Sequence, residues 1–298
     1  MIDLRYHIAT IIAIFLALGV GILIGSTVVG GDVLVDQQKK MIDQLEGQFD
    51  ILREHESELL AENKFVNSML GQYEDFSRAV LPPLIKNRLK DHRMAIVVTG
   101  GTDIPSGLLN SLSLAGAKVT STTVILPGMV MTDQRLKSKV CNFYDMEEGA
   151  VEEEVRGTIA RNIGEVLLHQ DDAAARNFLQ ENNLVKFNGE YAVELNAVLL
   201  LGGTNNVGNY FPETVDVPLI YYLTENEKEV YGVEASQVQH SYMQIYQRHK
   251  ISTVDDIEIA PGQVALIRAM EGEAGDYGVK STAKKFIPSL PAEYLEGM

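Results

Sequence analysis

The chain has 298 residues, with 25 Lys and Arg against 41 Asp and Glu and a formal charge of −16. This length holds one or two folded units, and 46% hydrophobic with 22% charged residues describes a globular chain rather than a disordered one. The acidic balance argues against nucleic acid as a partner, since phosphate binding needs clustered Lys and Arg, and the single Cys141 rules out an intramolecular disulfide or a CxxC site.

The first element is a membrane anchor. Ile8 to Gly30 is 23 residues without a charge. About 20 apolar residues span a bilayer core as a helix, whereas a cleaved signal has a shorter apolar run and an A-x-A-like site. The run is long and lacks that site, so an uncleaved single-pass helix is expected. Arg5 precedes it, with Asp3, and Asp32 and Asp36 follow before Lys39 and Lys40. Cytoplasmic flanks favour Lys and Arg, so the N-terminus is expected in the cytoplasm and the bulk of the chain outside it. Ala9, Ala13, Ala17, Gly21 and Gly25 recur every four residues, a small-residue ridge on which a second helix can pack.

Leu34 to Val80 contains no proline and reads as one long helix. Its heptad column Gln38, Leu45, Leu52, Leu59, Val66, Tyr73, Val80 is nearly all apolar. The second column is Leu34, Met41, Gln48, His55, Glu62, Met69, Phe76 and is polar at its centre. Two such columns predict a coiled coil, with central polar residues that fix register, and therefore a homo-oligomer. Pro82-Pro83 is expected to end the helix. Residues 82–93, with Lys86, Arg88, Lys90 and Arg93, read as a solvated linker.

From Met94 the pattern changes to short apolar runs alternating with helical stretches. Strands are predicted at Met94–Thr99, Lys118–Leu126, Ala197–Leu201, Val217–Leu223 and Val230–Val233. Helices are predicted at Ile104–Ala115, Val151–His169, Asp172–Asn182 (capped by Asp171), Ser236–His249 and Pro261–Met270. The alternation predicts an α/β ectodomain with a mainly parallel sheet. The organisation is then anchor 1–31, coiled-coil helix 32–81, linker 82–93 and extracytoplasmic α/β domain 94–298.

Two segments match at an offset of 102 residues: AIVVTGGTD from Ala95 and AVLLLGGTN from Ala197. Each runs from a strand into Gly-Gly-Thr, and neither has the spacing of a nucleotide-binding loop, so both read as structural turns. No nucleophile-elbow, zinc-protease, EF-hand or kinase motif occurs, and the chain reads as a non-enzyme. The six histidines lack i, i+4 pairing. His55 reads as a seam residue and His169 as a helix-end charge. The acids Asp145, Glu147, Glu148, Glu152, Glu153 and Glu154 read as a solvated helix start. No cofactor is established by a motif. Copper is the one candidate, because thioether and thiolate suit Cu(I), and Met129 and Met131 precede Cys141 by about ten residues. An extended backbone would place the two Met side chains on one face.

The opening MIDLRYHIATIIAIFLALGVGILIGS resembles the start of the MctB family of copper transport proteins. The ending, Gly275-Asp276-Tyr277-Gly278 and then Lys284-Lys285-Phe286-Ile287-Pro288, is similar to that family's tail, and so is the order of anchor, coiled coil and α/β domain. The resemblance implies copper transport or homeostasis at the cell envelope. Through SteB-like members it also implies a role in the envelope or in division beside a membrane partner. It carries no metal-binding residue over to this chain. One apolar helix and few alternating strands argue against an outer-membrane barrel.

Overall fold

A computed structural model describes residues 4–29, 32–147, 149–168 and 173–290. Asp3, Gly30, Glu148, His169, Asp171 and Asp172 lie outside the described residues. The chain divides into two compact units, Met1–Tyr73 and Glu74–Met298.

The first unit is helical. Helix α1 covers Leu4–Val29, and helix α2 begins at Asp32 and runs to Ile85 in the second unit. Within α1, Arg5–Thr27 is long and apolar enough to cross a membrane, and its apolar side chains are exposed throughout. Its serine and threonine hydroxyls are satisfied by its own backbone: Thr10 Oγ1 donates to the Tyr6 carbonyl at 3.1 Å, Ser26 Oγ to the Leu23 carbonyl at 3.1 Å, and Thr27 Oγ1 to the Leu23 carbonyl. Such a helix suits a bilayer because its interior backbone groups and its serine and threonine hydroxyls find partners within the segment. The helix α2 does not stop at Pro82-Pro83 as expected but ends at Ile85. The prolines fall in its last turn, Lys86 N–H still reaches the Pro82 carbonyl at 3.0 Å, and Leu84 and Ile85 are buried in the second unit's core.

The second unit is an α/β domain. Its strands are β1 (Arg93–Val98), β2 (Lys118–Ile125), β3 (Val185–Gly189), β4 (Ala197–Leu201), β5 (Glu229–Val233), β6 (Ser252–Val254) and β7 (Asp276–Tyr277). They form one seven-stranded sheet in the order β3-β2-β1-β4-β5-β6-β7, antiparallel only at β3. Every residue of β4 is buried, as a central parallel strand covered on both faces requires. Alternate residues feed two cores. Ala95, Val97, Val198 and Leu200 join one face, and Met94, Ile96, Leu199 and Leu201 the other. The first face carries α4 (Gln134–Phe143), α5 (Glu152–Leu168), α6 (Ala173–Glu181), α7 (Val217–Glu225) and α8 (Met243–Arg248). The second carries α3 (Ser106–Leu114) and α9 (Ala260–Met270).

Two segments differ from their predicted form. Val217–Leu223 is helix α7 rather than a strand. Pro218 sits in its first turn, and Leu219, Ile220 and Leu223 are buried while Tyr221 is exposed, a helical spacing. Of Ser236–His249 only Met243–Arg248 is helical. The Glu234 carboxylate takes the Ser241 hydroxyl and the Tyr242 N–H, which holds the chain before α8 in a turn. Helix α4 and strands β3, β6 and β7 were not predicted.

Candidate functional site

The sheet reverses its direction of growth between β1 and β4. In open α/β sheets, the crevice at the carboxyl ends of two such strands is where ligands bind. Both Gly-Gly-Thr segments lie there. Thr99 N–H bonds to the Leu201 carbonyl at 2.9 Å, so the two turns are adjacent. They also touch. A Cβ on Gly100 would lie 1.8 Å from the Gly203 carbonyl oxygen, and Gly203 has φ +74°. Glycine is therefore required twice, once for contact and once for backbone conformation. The two turns thus pack directly on each other through their backbones.

A polar cluster lies behind these turns. Asp216, in a π-helical turn at Pro212–Asp216, is buried, and its Oδ1 accepts the Thr99 hydroxyl at 2.6 Å and the Tyr246 hydroxyl. Its other oxygen has no partner among the described residues. Burial raises its pKa to about 7 even though the two hydroxyls favour the charged form. The Tyr246 hydroxyl is pushed well above its ordinary pKa by burial and by Asp216. At the end of β5, the fully buried Glu234 receives Lys280 Nζ at 2.6 Å. Breaking such a pair leaves an uncompensated buried charge, which costs about 3–5 kcal/mol. None of Asp216, Tyr246, Glu234 and Lys280 stands in a recognisable motif. They come from separate parts of the chain, and only the fold brings them together.

The tail motif is structural. Asp255 Oδ1 accepts Val279 N–H at 2.7 Å and Lys280 N–H at 3.1 Å, while Gly278, at φ +134°, leaves room for that carboxylate. Asp276 pairs with Lys284 at 2.7 Å and accepts the Thr253 hydroxyl at 3.0 Å. Gly275-Asp276-Tyr277-Gly278 thus fastens the last strand to the sheet.

The sulfur residues are core residues. Met129, Met131 and Cys141 are all buried and belong to the same apolar cluster. Met129 lies in a 3-10 turn at Pro127–Val130 and Met131 closes that turn in a left-handed conformation, so the stretch is not extended. Among the described residues, no three His, Cys, Asp or Glu side chains are grouped to hold a metal. Glu152, Glu153 and Glu154 form the first turn of α5, where the helix dipole favours carboxylates, and Glu152 also pairs with Lys137 at 3.1 Å. Of the basic group at 86–93, Arg88 approaches Glu271 at 3.9 Å, and the intervening Leu89 is fully buried.

In the first unit, Leu45, Leu52, Leu59, Val66 and Tyr73 are 47–66% exposed. Among the described residues no side chain covers their column. Gly21 and Gly25 face open space, and Ala9, Ala13 and Ala17 are exposed, so among the described residues nothing covers the ridge.

A family model described as copper transport outer membrane protein, MctB, matches residues 1–288. No curated protein matches the chain.

Proposed function

The chain belongs to the MctB family, and from that premise we propose that it is a single-pass, membrane-anchored envelope protein that acts in copper transport or homeostasis. The observation that carries this reading is the family match over residues 1–288. The apolar helix Arg5–Thr27 supports membrane anchoring. In this reading the N-terminus is cytoplasmic and the α/β domain lies outside the membrane. The protein is not an enzyme. It acts as a homo-oligomer, paired through the anchor ridge and the exposed α2 column.

A single helix whose serine and threonine hydroxyls are bonded to its own backbone offers no path for an ion. Any copper flux therefore depends on an oligomer or a membrane partner. Met129, Met131 and Cys141 are the chain's candidate soft ligands, though their present surroundings are apolar packing. A second reading, a non-enzymatic scaffold of the SteB-like kind, is favoured by the open α2 column. Such a scaffold binds an envelope partner and influences copper only indirectly.

The test has two parts. A strain lacking the protein is grown across a copper series and its cell copper is measured. Altered tolerance, restored by the full chain, is expected, and wild-type tolerance with wild-type cell copper would overturn the copper reading. Cu(I) competition on the purified full chain then separates direct from indirect action. Binding lost in Met129→Leu, Met131→Leu, Cys141→Ser marks a direct site. No binding by the native chain, together with an altered tolerance, marks the scaffold.

A further inference from the structure

A groove in the second unit lies between the end of α2, the start of α9 and the tail. Phe76, Val80 and Leu84 of α2 form one wall, and Pro261 and Val264 of α9 with Phe286 of the tail form the other. Its volume is about 210 Å³, and no charged side chain lines it, in a chain of formal charge −16. Phe76 is 64% and Phe286 51% exposed, so each wall turns an aromatic ring to solvent. The far wall is held in place. Pro261 stands in the first turn of α9. Beside Phe286, Lys285 N–H donates to the Asp276 carbonyl at 3.2 Å, and the Lys285 carbonyl accepts Gly278 N–H at 3.0 Å. An apolar groove with fixed walls loses little freedom when another apolar surface enters it.

We propose that this groove seats a second copy of the chain, whose α2 packs along Phe76 and Val80 while α9 and the tail close on it from the side. This seat rests on the self-pairing through α2 proposed above, and it adds the α/β domain to that interface.

The heptad columns of α2 select the occupant. Val80 is the last member of the first column, position a, and Phe76 the last of the second, position d. A helix paired with both columns to their end therefore lies on the groove's own wall. Two copies anchored in one membrane by the same N-terminal helix run parallel. In a parallel pair, the g residue of one helix flanks the e residue about five positions on in the other. Ala79 is such a g residue and Leu84 the matching e residue. These flanking positions are often Glu and Lys, but here both are apolar. Ala79 is exposed and does not line the groove of its own chain, whereas Leu84 does. The second copy's Ala79 thus meets the groove at Leu84, and its small side chain lets the helix come close to the wall that Phe286 completes.

Sedimentation equilibrium of the full chain in detergent micelles, over a concentration series, tests this. The native chain is expected to dissociate reversibly. Phe286→Asp and Ala79→Asp, both at exposed positions, are expected to raise the dissociation constant by about tenfold or more with unchanged circular dichroism, because each sets a charge in the buried seat. Phe286→Leu is expected to keep most of the affinity. Val279→Asp, at a tail residue that is 56% exposed and outside the groove, is expected to change nothing. Maleimide labelling of Phe286→Cys reads the groove directly. It is expected to be slow in the oligomer and fast on dilution, while the buried Cys141 stays unlabelled. A native oligomer whose affinity is untouched by Phe286→Asp overturns the seat and leaves the α2 pairing standing. Weakening by Phe286→Asp but not by Ala79→Asp also overturns it, because the second copy's α2 is then not what touches the groove. Labelling that stays slow on dilution and turns fast only when residues 291–298 are removed overturns it in favour of the chain's own C-terminal residues. A native chain that is monomeric at every concentration overturns the seat and the pairing together.

Discussion

At Gly100 a single missing methyl group decides how the domain closes. Any Cβ there would meet the Gly203 carbonyl, which is backbone and cannot swing aside. Gly100→Ala is expected to destabilise the full chain by about 1–3 kcal/mol, the usual cost of forcing extra atoms into a packed site. Urea denaturation followed by far-UV circular dichroism checks it, and an unchanged midpoint would show that the two turns separate freely. The sequence displayed both Gly-Gly-Thr runs and their likeness. It did not display that they press on each other, because contact between two turns depends on which strands are neighbours. Asp216 and Glu234 were less legible still. A buried acid is distinguished by its partners, here Thr99 with Tyr246 and Lys280, and these lie 30 to 117 residues away.

Elements were legible where local pattern and tertiary packing agree. Strands β1 and β4 are continuous apolar runs, and α5 shows its buried face as Val155, Ile159, Ile163, Val166 and Leu167 at helical spacing. They were misread where the pattern is short. VPLIYYL has the β-rich look of a buried strand, yet proline in a first helical turn and one exposed tyrosine suit α7. Pro82-Pro83 has the look of a stop, but a helix tolerates prolines in its last turn when the residues beyond, Leu84 and Ile85, gain burial. The exposed column on α2 leads to the prediction that belongs to this scale. Under the proposed pairing the native chain should scatter as an oligomer, and Leu52→Asp with Leu59→Asp should lower its mass to that of a monomer, because paired charges in a buried seam repel without solvent to screen them. The α/β domain's near-UV spectrum should be unaffected. An unchanged mass would overturn self-association through this column.

For the whole molecule, the division into two compact units predicts how it can be cut. A fragment of residues 74–298 is expected to fold on its own with a cooperative urea transition. A fragment starting at residue 94 loses Leu84, Ile85 and Leu89, all buried against the second core. It should be less stable by more than about 3 kcal/mol, since truncating even one buried leucine costs about 2–5 kcal/mol. Equal stability of the two fragments would mean that these residues add nothing to the domain.

By itself the sequence determined the N-terminal apolar helix, the long helix, the α/β alternation and the family resemblance. Each of these is written in neighbouring residues: an uncharged run, a seven-residue period, the alternation of short apolar segments, an opening block. The strand order, the contact of the two turns at its switch point, and the buried carboxylates behind it were decided by the tertiary structure alone. Their energies depend on desolvation and on hydrogen bonds between groups far apart in the chain, and no local pattern records which distant partner a buried charge will find.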